Sequence, residues 1–507
     1  MSAVNAAVVD RTVWRHLVAN SLGRSWGFVS NFLFVPVYVR LLGIENFGVI
    51  ALFLAVSGVI AFFDLGLSPT LARELHDQRR NAQERISLLF TYERAYAVIV
   101  AFIILCAGLA PRGAFSVLVS GPDLLRPEVA SSVRLVFVAA AMQMSFNFYV
   151  AGLMGIAEQI RGNLVVVTAG IVRSAVVLLP LWLFPQPVVY LLWQIIFALV
   201  FAALSRHFLY RAIVRGEEVR HRAFSLRMIT ENLDFTRGMF LVAVISAIIT
   251  QTDKLFISRL AGMGALGRYS LASTFAQLIV FVVSPITLTV MPRFVHSVSA
   301  GDSDAVRTAF LTAHRLVAAI VCSTVGCMLF FGPYLIGVWT GGKLGSESIG
   351  GYLAPLVVGY ASVALQTVPH CVAVANKNLR GILLLGGAGV LFALPAYWYS
   401  INRFGAVGAA TTWLLLQLAL YPLYLGWVNR RLLQLNSLAK NLMLRTVLLP
   451  GAGTLAISFI ASRFLSANNG VVGNLTLTAT ALLACALFCF LTILRRADAE
   501  YLFGSVS

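Results

Sequence analysis

The sequence predicts an all-α, polytopic membrane protein of about fourteen transmembrane helices. Three observations carry that expectation. The first is composition: 59% of the 507 residues are hydrophobic and 11% are charged, where an ordinary soluble domain carries roughly 25% charged residues. Mean hydropathy is +0.86, so much of the surface must face lipid rather than water. The second is run length, since the apolar residues come in stretches of about 20, enough to cross a hydrocarbon core about 30 Å thick. The third is continuity, because a membrane barrel would show short alternating segments instead.

In chain order the apolar runs lie near 17–39, 47–67, 88–110, 133–155, 162–184, 187–209, 236–258, 268–292, 308–332, 350–375, 381–402, 406–428, 443–464 and 471–494. The third and ninth open with charged or polar turns, so their edges are soft. Residues 1–16 are short and mixed, with Asp10, Arg11 and Arg15 directly before the first run. That run has no obvious small-residue cleavage site, so the first helix is expected to remain in the mature protein. The longest hydrophilic stretch, about 206–235, separates six spans from eight. The expected organisation is an N-terminal lobe over 1–212 and a second six-helix lobe over 213–430 with its preceding loop. Two extra helices and a tail follow over 431–507.

The formal net charge is +18. Its placement is topological. Arg73, Arg79, Arg80 and Arg85, then Arg206, Arg211, Arg215, Arg220, Arg222 and Arg227, gather on alternate loops, on the side that also holds the N-terminus. This is the positive-inside bias of an inner-membrane protein. It places both termini in the cytoplasm, and a nucleic-acid partner is not needed to explain the basicity. Cys106, Cys322, Cys327, Cys371, Cys485 and Cys489 all fall inside apolar runs, where cysteine acts as a small hydrophobe. No Cys/His ligand cluster is spaced for a metal. No metal and no cofactor is expected.

An internal repeat is visible. Arg40, Leu41, Gly43 and Gly48 recur as Arg259, Leu260, Gly262 and Gly267 at an offset of 219, which also carries Arg161–Gly162 onto Arg380–Gly381. Six spans separate the copies, so the repeat is parallel. Transporters built from repeats hold substrate between them.

Polar residues within the spans supply the candidate site. Ionisable groups at membrane depth are costly, about 2.5–3.5 kcal/mol on insertion scales, and face a bundle interior or a wet cavity. In the first span Asn20, Arg24, Gly27 and Asn31 fall on one helical face. Arg24 either lines a cavity or snorkels back to the headgroups. Arg173 lies near the middle of the fifth span, where snorkelling is harder. It is either a functional cation or half of an ion pair, with Asp64 and Asp253 as the available carboxylates. The seventh span carries Ser246, Thr250 and Asp253 on one face, then Lys254. Asp253 and Lys254 are adjacent and point about 100° apart, so they need not pair with each other. The eighth carries Ser270, Ser273, Thr274, Gln277 and Ser284. Gln143 and Asn147 are one turn apart, as are Gln366 and His370. These groups suit sugar hydroxyls, and they equally suit interhelical hydrogen bonds. Asp64 and His370 are candidates for ion or proton coupling. Pro36, Pro285, Pro292, Pro355, Pro369 and Pro395 lie within or at the ends of spans and bend them.

The segment Asn31–Gly48 reads NFLFVPVYVRLLGIENFG, and the next span ends in Asp64-Leu65-Gly66-Leu67 followed by Arg73. This resembles the opening helices of the polysaccharide flippases, the Wzx-like O-antigen and exopolysaccharide exporters. They sit in a superfamily with multidrug extruders and lipid II flippases. The likeness is most specific over 14–75 and returns at Asp253–Tyr269, DKLFISRLAGMGALGRY. It implies two six-helix lobes, alternating access, and transfer of an undecaprenyl-diphosphate-linked oligosaccharide to the periplasmic leaflet during cell-surface polysaccharide (lipopolysaccharide) synthesis. It implies membrane lipid and a lipid-linked anionic oligosaccharide as partners, with polysaccharide polymerase and glycosyltransferases as further ones.

Under that reading Arg24, Arg173, Asn20, Asn31, Asp253 and Gln277 are the substrate-binding candidates, because fixed positive charge suits a diphosphate. The competing readings are an ion-coupled multidrug extruder, a lipid II flippase, and a polytopic glycan-assembly enzyme. Cation extruders of the superfamily carry deep carboxylates, and the first span has none. The enzyme reading finds no paired carboxylates at a membrane surface, no Ser/His/Asp set and no phosphate-cradling loop, so no catalytic residue is expected.

Overall fold

The computed structural model describes residues 29–30, 32–77, 79–156, 159–214, 224–342, 347–378, 380–434, 443–466 and 470–494. No strand occurs among them. Eleven of their helices are long and apolar enough to cross a membrane. One of these, Leu383–Leu433, turns at Gly405 (φ 60°, ψ −148°) and makes two passes. Leu233–Leu260 is 28 residues long but carries Asp253, Lys254 and Arg259. Phe32–Leu42 is the described part of the first span. Counted this way, the described residues hold fourteen helical passes, the number the hydropathy pattern predicts.

We number them α1 (Phe32–Leu42), α2 (Ile44–Asp64), α3 (Ala82–Leu109), α4 (Pro127–Gly155), α5 (Gly162–Leu183), α6 (Pro187–Val214), α7 (Leu233–Leu260), α8 (Met263–Ser299), α9 (Ser303–Trp339) and α10 (Ile349–Ala375). The two arms of Leu383–Leu433 are α11 and α12, followed by α13 (Leu444–Ser462) and α14 (Gly470–Ile493).

The helices divide their faces as a lipid environment demands. On α3, Val98, Phe102, Leu105 and Leu109 are 58–75% exposed and recur at helical spacing, forming one apolar stripe. Tyr92, Tyr96, Val100, Ile103 and Ala107 on the other side are buried. A stripe of that kind is stable only against acyl chains, where apolar exposure carries no hydration penalty.

Two compact units form, Met1–Gly267 and Arg268–Ser507. In the first, α7 lies along α2 and is fastened at both ends. At one end Arg73 donates to Asn232 Oδ1 at 2.9 Å and the Thr70 and Thr236 hydroxyls meet at 3.0 Å. At the other, the Ser258 hydroxyl donates to the Leu118 carbonyl at 2.6 Å, and Asp123 accepts the Met263 N–H at 2.8 Å. Midway, the Gln251 side chain lies on Gly58. Grouping by contact thus keeps α7 with the first six passes, whereas the repeat would count it as the first helix of the second copy.

The 219-residue offset reappears as geometry. Gly43 and Gly262 both hold positive φ, 78° and 85°, and each directly precedes a helix. Past them the two helix starts cross. A methyl group on Gly48 would sit 2.1 Å from the Met263 carbonyl oxygen, and one on Gly267 would sit 2.2 Å from the Ile44 carbonyl oxygen. Ile44 and Met263 are themselves offset partners, as are Gly48 and Gly267, so the crossing is two-fold symmetric by residue. Only glycine lets the backbones approach this closely.

In the second unit α13 and α14 dock on α9 through small residues. A methyl group on Gly326 would lie 2.8 Å from the Thr454 carbonyl oxygen. Ser458 Oγ is 3.6 Å from Cys327 Sγ and 3.4 Å from Cys485 Sγ. These cysteines therefore act as small buried packing groups.

Candidate functional site

Arg173 occupies the centre of α5, and the helix changes form there. Residues Val172–Val176 make one π turn. A π turn misaligns the backbone ladder locally and is frequent at functional sites. Here the Ser174 carbonyl accepts a 2.8 Å hydrogen bond from the Tyr38 hydroxyl of α1. Tyr38 packs edge-on against Tyr190 of α6 with ring centroids 5.5 Å apart, and Phe53 packs against Tyr190 from α2 at 6.2 Å. The Arg173 side chain is half-buried. Among the described residues it makes no hydrogen bond and no ion pair.

The carboxylates named from the sequence as partners for Arg173 are engaged elsewhere. Asp64 ends α2. Leu65 (φ 51°) and Gly66 (φ 78°) turn the chain through the left-handed region, and Asp64 then accepts the Ser68 N–H at 3.2 Å and the Ser68 hydroxyl. It thereby satisfies a first-turn N–H of the short helix Leu67–His76, whose N-cap is Gly66, as a capping side chain does. Asp253 is buried on α7 with Lys254 Nζ at 3.5 Å, so these neighbours, which the angular separation left free not to pair, do pair. Lys254 reaches back along the helix and also donates to the Thr250 carbonyl at 2.8 Å.

Gln277 of α8 bonds within the second unit, donating to Ser273 Oγ at 3.3 Å and to the Tyr360 hydroxyl at 3.2 Å. Gln143 and Asn147 bond each other at 3.5 Å along α4. Gln366 donates instead to Gln417 Oε1 of α12 at 3.1 Å. His370 is exposed and forms no such bond among the described residues. Asn20, Arg24 and Asn31 lie outside the described residues.

Two polar groupings escaped the sequence reading. Glu93, about three turns into α3, takes Arg206 of α6 on both oxygens and the Tyr149 hydroxyl of α4 at 2.8 Å. It thus ties three helices together. Its signal was a lone acid inside a span, which the soft edge of that span obscured. In the second unit His314 is fully buried on α9, with Nε2 3.2 Å from the Tyr421 hydroxyl. The described residues contain no group of three or more His, Cys, Asp or Glu placed to hold a metal ion.

Together these features define a polytopic helical membrane protein whose first unit carries a mid-span guanidinium that makes no ion pair among the described residues. The family model described as polysaccharide biosynthesis protein matches residues 13–298. The chain belongs to that family. A putative O-antigen transporter of Shigella flexneri is 20% identical over 431 residues, spanning 82% of this chain and 98% of that protein. Among solved structures, the lipid II flippase MurJ in an inward closed conformation superposes with a TM-score of 0.67 at 12% identity, over 95% of this chain and 99% of its own. A multidrug resistance MATE family transporter in an inward-facing conformation superposes at 0.66 and 15% identity, over 81% and 96%. Both share the fold.

Proposed function

We propose that the chain is a flippase of the inner membrane. It moves an undecaprenyl-diphosphate-linked oligosaccharide from the cytoplasmic to the periplasmic leaflet by alternating access, for cell-surface polysaccharide assembly. Both termini are cytoplasmic in this reading, and the lobes run 1–212 and 213–430, with 431–507 added.

The observation that carries the reading is Arg173. A guanidinium in mid-span needs a counter-charge or water. No described side chain supplies a carboxylate, and a diphosphate has the right charge and geometry for its fork of donors. Tyr38 of α1 holds the adjoining Ser174 carbonyl, and Tyr190 packs on Tyr38. Arg24, from the same lobe, is the second cation of the proposal. The name of the Shigella relative and the family description point the same way. A multidrug extruder for cations would instead need a free deep carboxylate. Asp64 caps a helix, Glu93 holds Arg206 and Asp253 sits against Lys254. A bond-making enzyme is the weaker alternative, since the related proteins are named as transporters and flippases.

The test is complementation in cells whose own polysaccharide flippase is deleted. The wild-type chain restores surface polysaccharide. Arg173→Ala abolishes it with normal protein abundance in the membrane, and Arg173→Lys restores it in part, returning charge without the fork. Undiminished export in Arg173→Ala would refute the cationic site.

A further inference from the structure

The second unit contains a polar cluster with no charge in it. Ser273 of α8 and Tyr360 of α10 bring their hydroxyls to 2.9 Å, and the Gln277 amide reaches both. Gln277 and Tyr360 lie near the middle of their spans. Tyr360 is backed by Trp413 of α12, ring centroids 5.5 Å apart at 48°. Gly359 makes this possible, since a methyl group there would stand 2.6 Å from the indole Cδ1.

The cluster is not self-satisfied. The Trp413 indole nitrogen is buried with no hydrogen-bond partner among the described residues, and so is Ser270 Oγ, one turn before Ser273 on α8. Trp413 is 7% exposed and Ser270 9%. Orphan donors of this kind are rare in native structures and each calls for a partner. Tyr360 and Gln277 are only half-buried. The second end of the Gln277 amide makes no hydrogen bond among the described residues.

If these groups served only to hold helices together, their hydrogen-bonding capacity would be spent on one another. Here capacity is left over, beside an accessible aromatic ring. An ionic ligand would find no counter-charge in this cluster, and a plain isoprenoid chain would use none of its hydrogen-bonding groups. A pyranose ring uses both kinds of contact. Its hydroxyls exchange hydrogen bonds with amides and hydroxyls, and its C–H face packs on an aromatic ring.

Resting on the flippase reading, we infer that Ser273, Gln277 and Tyr360, backed by Trp413, form a binding subsite for a neutral sugar of the transported glycan, separate from the cation at Arg173.

The experiment uses the purified full-length chain in nanodiscs and two probes: polyprenyl diphosphate, and the same carrier bearing a short neutral oligosaccharide. The wild type binds the saccharide form at least tenfold more tightly. Tyr360→Ala and Gln277→Ala lose that preference and keep the affinity for the bare carrier. Tyr360→Phe retains the ring and loses only part of the preference. Arg173→Ala weakens binding of both probes. Equal wild-type affinity for the two probes overturns the subsite and leaves the flippase reading standing. Equal weakening of both probes in the Tyr360 and Gln277 variants also overturns it, because the cluster would then be structural. Binding of neither probe by the wild type overturns the flippase reading, and the subsite with it.

Discussion

Gly48→Ala is a one-carbon perturbation with a readable consequence. The added carbon would lie 2.1 Å from the Met263 carbonyl oxygen and 2.7 Å from its carbon. Ordinary contact begins near 3.5 Å, so the two backbones must part by more than about 1 Å. The obstacle is backbone and cannot rotate away. Overpacking of this kind costs about 1–3 kcal/mol. Gly267→Ala meets the Ile44 carbonyl oxygen at 2.2 Å and should cost about the same, within the usual scatter of a factor of two. The double variant tests the symmetry. Both methyl groups wedge one crossing, so the separation forced by the first accommodates the second, and the double cost falls well below the sum. Unfolding of the purified protein on titration with denaturing detergent, followed by tryptophan fluorescence, gives the three values. Either single variant at wild-type stability, or strict additivity, would refute the crossing as described.

Asp64→Ala removes the cap on Ser68 and should cost about 0.5–2 kcal/mol, measured as a lower melting temperature. Asp64→Asn keeps an acceptor, so it retains most stability; its transport rate then separates a cap, which tolerates the change, from a coupling carboxylate, which does not. Arg206→Ala leaves the Glu93 carboxylate, 14% exposed, without its cation. It should lower the melting temperature more than the double variant Glu93→Gln, Arg206→Gln, in which no charge is stranded. Equal melting temperatures would show that the pair contributes little. Reporter fusions after Asn436 should report the cytoplasm and fusions after Asn468 the opposite side; agreement between the two would mean that the last two passes do not cross.

Most of the fold was legible because lipid imposes one simple requirement. A spanning helix must be long and apolar whatever its neighbours are. The exceptions are informative. α7 carries Asp253, Lys254 and Arg259, and two of these charges face each other. The repeat was legible from Gly43, Gly48, Gly262 and Gly267, because positive φ and close backbone approach each require glycine. That Gly48 and Gly267 meet at one crossing was not, since no local pattern encodes which helices meet.

The site divided in the same way. The depth of Arg173 follows from counting along a span. The hydroxyl that binds the Ser174 carbonyl of its π turn comes from Tyr38, 136 residues before Ser174, and leaves no local trace. The Glu93–Arg206 pair joins residues 113 apart, so each appeared in the sequence as a lone charge. The Asp64 cap was the nearest miss. An aspartate two residues before a glycine and four before a serine is a local capping pattern, readable without any tertiary knowledge.

The central claim is that this chain carries a diphosphate-linked glycan across a bilayer by means of the cation at Arg173. Its most direct test is a reconstituted flipping assay. Purified protein is placed in vesicles containing a fluorescent polyprenyl-diphosphate oligosaccharide, and an impermeant quencher reports the fraction reachable from outside over time. Wild-type vesicles should equilibrate the probe between leaflets far faster than protein-free vesicles, Arg173→Lys should do so more slowly, and Arg173→Ala should match the protein-free rate. Equilibration by Arg173→Ala at the wild-type rate, or none by the wild type, would contradict the account.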